Sequence, residues 1–126
     1  MKEILTSFEN SVQKLKEILE KEKTIINRDS AIKRFEFTVE LAWKCLQKFL
    51  REEKIICRSP KECLKEAFKF GLIEDDSRWL EMLEDRNLTV HTYDEDTADE
   101  VYSRLPVYLP LLILLKERLT ININNQ

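Results

Sequence analysis

Apolar residues recur at three- and four-residue steps along most of the chain, the period of amphipathic helices. Ile4, Leu5, Phe8, Val12, Leu15, Ile18 and Leu19 predict a first helix from about Glu3 to Lys21. The segment TIINRDS breaks the pattern, and Asn27 or Asp29 is expected to cap a long second helix reaching about Glu53. Its stripe (Ile32, Phe35, Val39, Ala42, Leu46, Phe49) is widened by Phe37, Leu41, Trp43, Cys45 and Leu50. Such a width suits a central helix with neighbours on more than one side. A short helix over about 60–70 has Ser59 as N-cap, Pro60 at its first position, Glu62 completing a capping box and Gly71 as its stop. The fourth helix starts near Asp75 to Ser77 and carries Trp79, Leu80, Met82, Leu83 and Leu88. One of Asp94 to Thr97 caps the last, predicted over about 97–118, where Pro106 and Pro110 should bend it or open its hydrogen bonding.

These five helices contain no repeat and no low-complexity linker. The expected fold class is all-α, an antiparallel up-and-down four-helix bundle with the short third helix as an accessory, in one domain spanning residues 1–126. In the block LPVYLPLLILL at 105–115, Val107, Leu109, Leu111, Leu112, Ile113, Leu114 and Leu115 surround the helix axis. They cannot all face one core, so part of the block should meet a second subunit, with Tyr102 and Tyr108 at its margin. Broken by two prolines, the block is too short to span a bilayer, and MKEILTSFENSVQKL has no continuous apolar run of the signal-peptide kind. A cytoplasmic protein without a membrane partner is the expectation.

Composition narrows the chemistry. The one glycine, Gly71, excludes a glycine-rich phosphate loop and a dinucleotide fingerprint. Net charge is −3, which does not suit a constitutive DNA binder, but residues 1–70 hold 16 Lys/Arg against 12 Asp/Glu and 71–126 hold 5 against 12. That asymmetry favours a protein partner or selective electrostatic contact. Cys45, Cys57 and Cys63 form no CxxC pair and meet only one histidine, so no zinc site is expected. The cysteines read as reduced and structural.

The histidine lies in DRNLTVHTYDED. Alone it reads first as a surface or capping residue. Arg86 and His91 are five residues apart, about 140° around a regular helix, so convergence needs an irregular helix end or a second chain. Asn87 and Thr89 are poor helix formers that support such a departure. If the pair meets at a phosphate, arginine offers a fork of donors and histidine passes a proton near neutral pH. Such a pair would suit metal-free cleavage of RNA, in which the ribose 2′-hydroxyl attacks the adjacent phosphate. On the second helix, Phe35, Phe37 and Trp43 read as core or dimer seam, and Glu40 and Lys44 as an i,i+4 ion pair. A polar contact from Glu36 or Glu40 that orients Arg86 is a better reading than catalysis by those glutamates, with Asp29 and Arg34 joining the network.

RNLTVHTY at 86–93 resembles the Arg-x4-His-x-Tyr signature of HepT-like HEPN proteins. RDSAIKRFEFTVELAWKCLQKFL at 28–50 and SPKECLKEAFKFGLI at 59–73 resemble the nucleotidyltransferase substrate-binding family, and the likeness covers nearly the whole chain. The resemblance implies a homodimeric bundle whose Arg/His motifs meet in a cleft. It implies catalytic roles for Arg86 and His91, a supporting role for Asn87, and adenylylation of Tyr93 by a minimal nucleotidyltransferase acting as antitoxin. ATP would be used by that partner; the chain itself carries no cofactor or metal in this reading. The phosphate added at Tyr93 would exclude RNA from the cleft.

Three functions follow as expectations. The first is a toxin with metal-independent ribonuclease activity, inhibited by its nucleotidyltransferase partner in a hetero-oligomer. The alternative is a non-catalytic substrate-binding or regulatory subunit of that enzyme, which the acidic flank Glu84, Asp85, Asp94, Glu95 and Asp96 suits at least as well. The third is a helical dimerisation protein in which His91 is buried and merely supports the fold.

Overall fold

The computed structural model describes residues 1–125. They form α1 (Lys2–Leu19), α2 (Ile25–Glu52), α3 (Pro60–Phe70), α4 (Arg78–Leu88) and α5 (Glu95–Asn124), with a 3₁₀ turn at Thr89–His91 before α5. All five expected helices are present, and no strand occurs among the described residues. The long helices α1, α2 and α5 pack on one another, α4 closes the bundle against α2 and α5, and α3 lies on α2 and α4. The short link between α1 and α2 makes them an antiparallel pair.

The helical stripes meet in one core. Phe8 and Leu15 of α1, Phe35, Leu46 and Phe49 of α2, and Leu105, Leu112, Leu115 and Leu119 of α5 are wholly buried. Phe35 stacks on Tyr108 with ring centroids 5.7 Å apart. The buried hydroxyls of Ser11 and Thr38 are 2.6 Å apart across α1 and α2, and Thr38 also donates to the Arg34 carbonyl. Each therefore enters the apolar interior with its hydrogen bond made. Phe37 lies outside the core of the single chain: it is exposed, with the Lys33 ammonium over its ring.

The helix ends show which local signals decide. At α3, Ser59 Oγ accepts from the Glu62 amide while Glu62 reaches back to the Arg58 amide, one residue before the expected partner. Gly71 closes that helix at φ 94°. The N-cap of α2 is Thr24, not Asn27 or Asp29: its hydroxyl accepts from the Asn27 amide. Asn27 is inside the helix and donates its side-chain amide to the Glu22 carbonyl. At the other end of α2, Lys54 takes the left-handed conformation at φ 67°. Its amide binds the Arg51 carbonyl and that of Ile55 binds the Leu50 carbonyl, a Schellman closure without glycine.

Helix α5 is longer than predicted at both ends. Asp94 caps it through the Thr97 amide, and burial of Leu119 and Ile123 carries the helix on to Asn124. Pro106 and Pro110 lie within its continuous run, each on the exposed side. Neither has an amide hydrogen to give the carbonyl four residues earlier. Within the apolar block, Leu112 and Leu115 are buried, whereas Val107 and Leu114 remain exposed.

The cysteines depart from the expectation of three thiols. Cys57 and Cys63 form a disulfide, their Cα atoms 5.1 Å apart, and Cys45 is free and buried. The capping turn at Ser59 folds the connector back over the first turn of α3, which brings the two sulfurs together. Sequence spacing alone does not show that reversal. Burial pushes the Cys45 thiol up to about 12.

Candidate functional site

The site is built at the C-terminal end of α4, where two successive residues face different neighbours. Trp79, Met82 and Asp85 form the inward side of the helix. Asp85, only 4% exposed, receives Nε and Nη2 of Arg104 at 2.7 Å each, and the Tyr108 hydroxyl donates to the same carboxylate. This fork fixes the last turn of α4 against α5. Burial first, then the bond to Asp85, pushes the Tyr108 phenol above its ordinary range, and Asp85 holds Arg104 in its charged form.

Arg86 turns the other way, toward α2. Its Nη2 lies 3.6 Å from Oε2 of Glu40, and its side chain is 27% exposed. Its Nε is buried without a hydrogen-bond partner. An unmatched buried donor costs about 1–3 kcal/mol, so this guanidinium is held short of its full set of acceptors. It lines a pocket of about 470 Å³ together with Val39, Glu40 and Trp43 of α2, Ser59, Pro60 and Lys61 at the start of α3, and Leu80, Leu83, Glu84 and Asn87 of α4.

Beyond Arg86 the helix changes pitch. Helix α4 stops at Leu88 and a 3₁₀ turn carries Thr89 to His91. The Thr89 hydroxyl donates to the Arg86 carbonyl at 2.7 Å, the Thr92 hydroxyl to the Thr89 carbonyl at 2.9 Å, and the Asp94 amide to the His91 carbonyl at 3.1 Å. These side chains supply local partners where regular helix bonds end. His91 stands exposed, and Tyr93 is 82% exposed with its ring edge-on to the imidazole at 6.1 Å. A buried, structural His91 is therefore not what the fold contains.

A second arginine anchors the far side of the loop. Arg28, 3% exposed, binds Glu95 at 2.7 Å, Asp99 at 3.1 Å and Asp29 at 3.0 Å. Glu95 and Asp99 lie one turn apart at the start of α5, so the start of α2 is tied to the residues just after Tyr93. The bond to Glu95, then those to Asp99 and Asp29, favours the charged guanidinium against the cost of burial.

The sequence-predicted residues thus separate. Arg86, Asn87 and Glu40 share the pocket, and His91 and Tyr93 share the adjoining turn. Glu36 does not reach Arg86; it lies 3.5 Å from Lys33, because one turn along α2 places it beyond Glu40. Asp29 is drawn to Arg28 instead, and Arg34 lies with Glu40 along a separate groove beside α1. Trp43, expected in core or seam, packs half-buried against the core and also lines the pocket wall. The Asp85–Arg104–Tyr108 cluster escaped the sequence reading. Its available signal was the polar i,i+4 pair Arg104 and Tyr108 on an apolar helix. Among the described residues, no group of three His, Cys, Asp or Glu side chains is placed to hold a metal ion. Nor is any helix among them long and apolar enough to cross a membrane.

Comparison with known proteins identifies the class to which this all-helical bundle belongs. Residues 3–121 match the family model described as nucleotidyltransferase substrate binding protein like, and the chain belongs to that family. A curated relative from Haemophilus influenzae, described as a probable ribonuclease HepT, is 37% identical over 94 residues, covering 71% of this chain. The match spans 64% of that relative's own length. A crystal structure from Thermus thermophilus superposes with a TM-score of 0.83 at 41% identity, covering 89% of this chain and 98% of that one. A Haemophilus influenzae structure, described as revealing the fold of a substrate binding domain of a nucleotidyltransferase, gives 0.82 at 28% identity, with 92% and 98% covered.

Proposed function

We propose that this chain is a HepT-like partner of a minimal nucleotidyltransferase and acts as a metal-independent endoribonuclease through Arg86 and His91. The observation that carries this reading is the arrangement around Arg86. Its guanidinium is only loosely paired and has an unpartnered Nε, and a 3₁₀ turn then presents an exposed His91. The resemblance of RNLTVHTY to the HepT signature supports it, as does the curated relative's description.

In this mechanism His91 takes the proton from a ribose 2′-hydroxyl as that oxygen attacks the adjacent phosphorus. Arg86 binds the non-bridging oxygens, where charge accumulates. The P–O5′ bond breaks, giving a 2′,3′-cyclic phosphate, and the departing 5′-oxygen takes a proton from the His91 of a second copy in a homodimer. Val107 and Leu114, the exposed aliphatic residues of the α5 block, supply apolar surface for such a dimer. The partner enzyme would use ATP to adenylylate the exposed Tyr93, placing a phosphate beside His91 and closing the cleft to RNA. In this toxin–antitoxin arrangement both proteins act in the cytoplasm.

The test is incubation of unmodified protein with single-stranded and structured RNA in EDTA, beside a folded His91→Ala variant. Cleavage lost in the variant is the expected result, and equal cleavage by both rejects His91 as catalyst. The acidic side chains Glu84, Glu95 and Asp96, all exposed near the motif, favour a second reading as a non-catalytic subunit docking a basic face of the nucleotidyltransferase. That reading gains if neither protein cuts RNA while both retain the partner complex.

A further inference from the structure

The pocket beside Arg86 has a composition that phosphate binding does not require. We propose that it is a base-recognition subsite for a guanine nucleotide whose phosphate lies at Arg86. The proposal rests on the reading of Arg86 as a phosphate-binding residue, though not on cleavage.

Three side chains carry the argument. Trp43 stands half-buried in the pocket wall, and an indole is a side chain on which a base can stack. Glu40 lies in the same wall, and its carboxylate is incompletely engaged. Lys44 approaches Oε1 at 3.5 Å and Arg86 approaches Oε2 at 3.6 Å, both long for direct hydrogen bonds. An ionised carboxylate accepts at both oxygens and suits two parallel donors. On the Watson–Crick edges, guanine alone sets two donors side by side, N1–H and the 2-amino group. Adenine and cytosine place an acceptor beside their amino group, and uracil places its single N–H between two carbonyls. Asn87, exposed on the pocket rim, brings an amide that can donate to guanine O6. Arg86 lies between this edge-reading group and the 3₁₀ turn, so base and phosphate would occupy adjoining positions.

The same chemistry is offered by a guanosine in RNA and by a free guanine nucleotide, and one experiment separates them. Indole fluorescence of the full chain is titrated with GMP, AMP and UMP, and with 2′-O-methylated oligonucleotides carrying one G or one A. Trp43→Phe supplies the baseline, because the other indole, Trp79, is buried. Guanine ligands should respond at concentrations at least about tenfold below their adenine counterparts. Glu40→Gln should abolish that preference. GMP binding as tightly as the oligonucleotide assigns the site to a free nucleotide; tighter oligonucleotide binding assigns it to RNA.

Cut sites on unmodified RNA are mapped in parallel. If Glu40 only orients Arg86, Glu40→Gln slows every site equally and the subsite is overturned. Cleavage without base preference, together with equal fluorescence responses to all bases, overturns the subsite but leaves the ribonuclease reading standing. A guanine-selective response without any cleavage keeps the subsite and removes the ribonuclease. No response to any nucleotide or oligonucleotide overturns the proposal.

Discussion

Asp85 and Arg86 occupy successive positions on α4 and take part in two arginine–carboxylate pairs of opposite character. Asp85 is buried and receives a two-pronged bond from Arg104 at 2.7 Å, with Tyr108 completing the cluster. Arg86 meets Glu40 at 3.6 Å, with both partners partly exposed and one nitrogen unmatched. The first pair is saturated and belongs to the scaffold; the second has capacity left for a ligand. A helix rotates by about 100° per residue, so adjacent positions can serve these two purposes without sharing a partner.

The largest test of this contrast is Asp85→Ala. It leaves the Tyr108 hydroxyl buried without an acceptor, while Arg104, whose side chain is 40% exposed, can return to water. Loss of about 2–4 kcal/mol in urea unfolding is expected. Arg86→Ala should cost the same transition no more than about 0.5 kcal/mol, since its pair is open and loose and the change also removes an unmatched buried donor. Equal losses from the two variants would break the comparison.

Under the proposed ribonuclease function, activity should reverse the order. Arg86→Ala is expected to lower RNA cleavage at least about 10²-fold, the scale of removing one group that stabilises developing charge. Single-turnover rates in EDTA measure it. An Arg86→Ala protein that cleaves at the wild-type rate would leave that arginine without a role in the reaction.

The buried side also predicts a pH response. Tyr108 and Cys45 have raised pKa values in the fold, mainly because burial disfavours their charged forms. Their native states hold protons that the unfolded chain releases. Their contribution is therefore complete below the unfolded values, near pH 9 for the thiol and near pH 10 for the phenol. It is lost as pH rises through the folded values, by up to about 1.4 kcal/mol per pH unit for each group. Cys45→Ala should remove the earlier part of that alkaline slope and Tyr108→Phe the later part, in unfolding curves taken from pH 8 to 12. An unchanged slope in both variants would mean that neither group is linked to folding.

Legibility in the sequence followed the range of the interaction. Ser59, Pro60, Glu62 and Gly71 form a local code, and α3 was bounded by it to the residue. The start of α2 was misplaced because three polar residues compete there, and Thr24 prevails by reaching the Asn27 amide. Arg86, Asn87, His91 and Tyr93 were visible as spacing and resemblance, but the pocket was not. Trp43, Lys61 and Arg86 come together from three helices, and nothing in a linear pattern sets their separation. The Asp85 cluster joins residues 19 and 23 positions apart, and the Cys57–Cys63 bridge depends on a turn. Each was hidden for the same physical reason: tertiary packing determines which polar groups meet.

The smallest test supplies a scale for the others from a place that touches neither arginine pair. The two Schellman closures differ in the residue held at positive φ, Lys54 at 67° and Gly71 at 94°. A Cβ in that region meets its own backbone, a cost of about 1–2 kcal/mol that glycine avoids. Part of that cost returns as the greater chain entropy of unfolded glycine. Lys54→Gly should therefore stabilise the protein by about 0.5–1 kcal/mol. Nothing lies within 4 Å of a Cβ built on Gly71, so Gly71→Ala isolates the backbone penalty and should destabilise by about 1 kcal/mol. Both are read from urea midpoints at constant slope. If these shifts appear and Arg86→Ala stays below them, the looseness of the Glu40 contact is measured against a known backbone effect. If Lys54→Gly destabilises, the Lys54 side chain contributes more than the left-handed backbone costs.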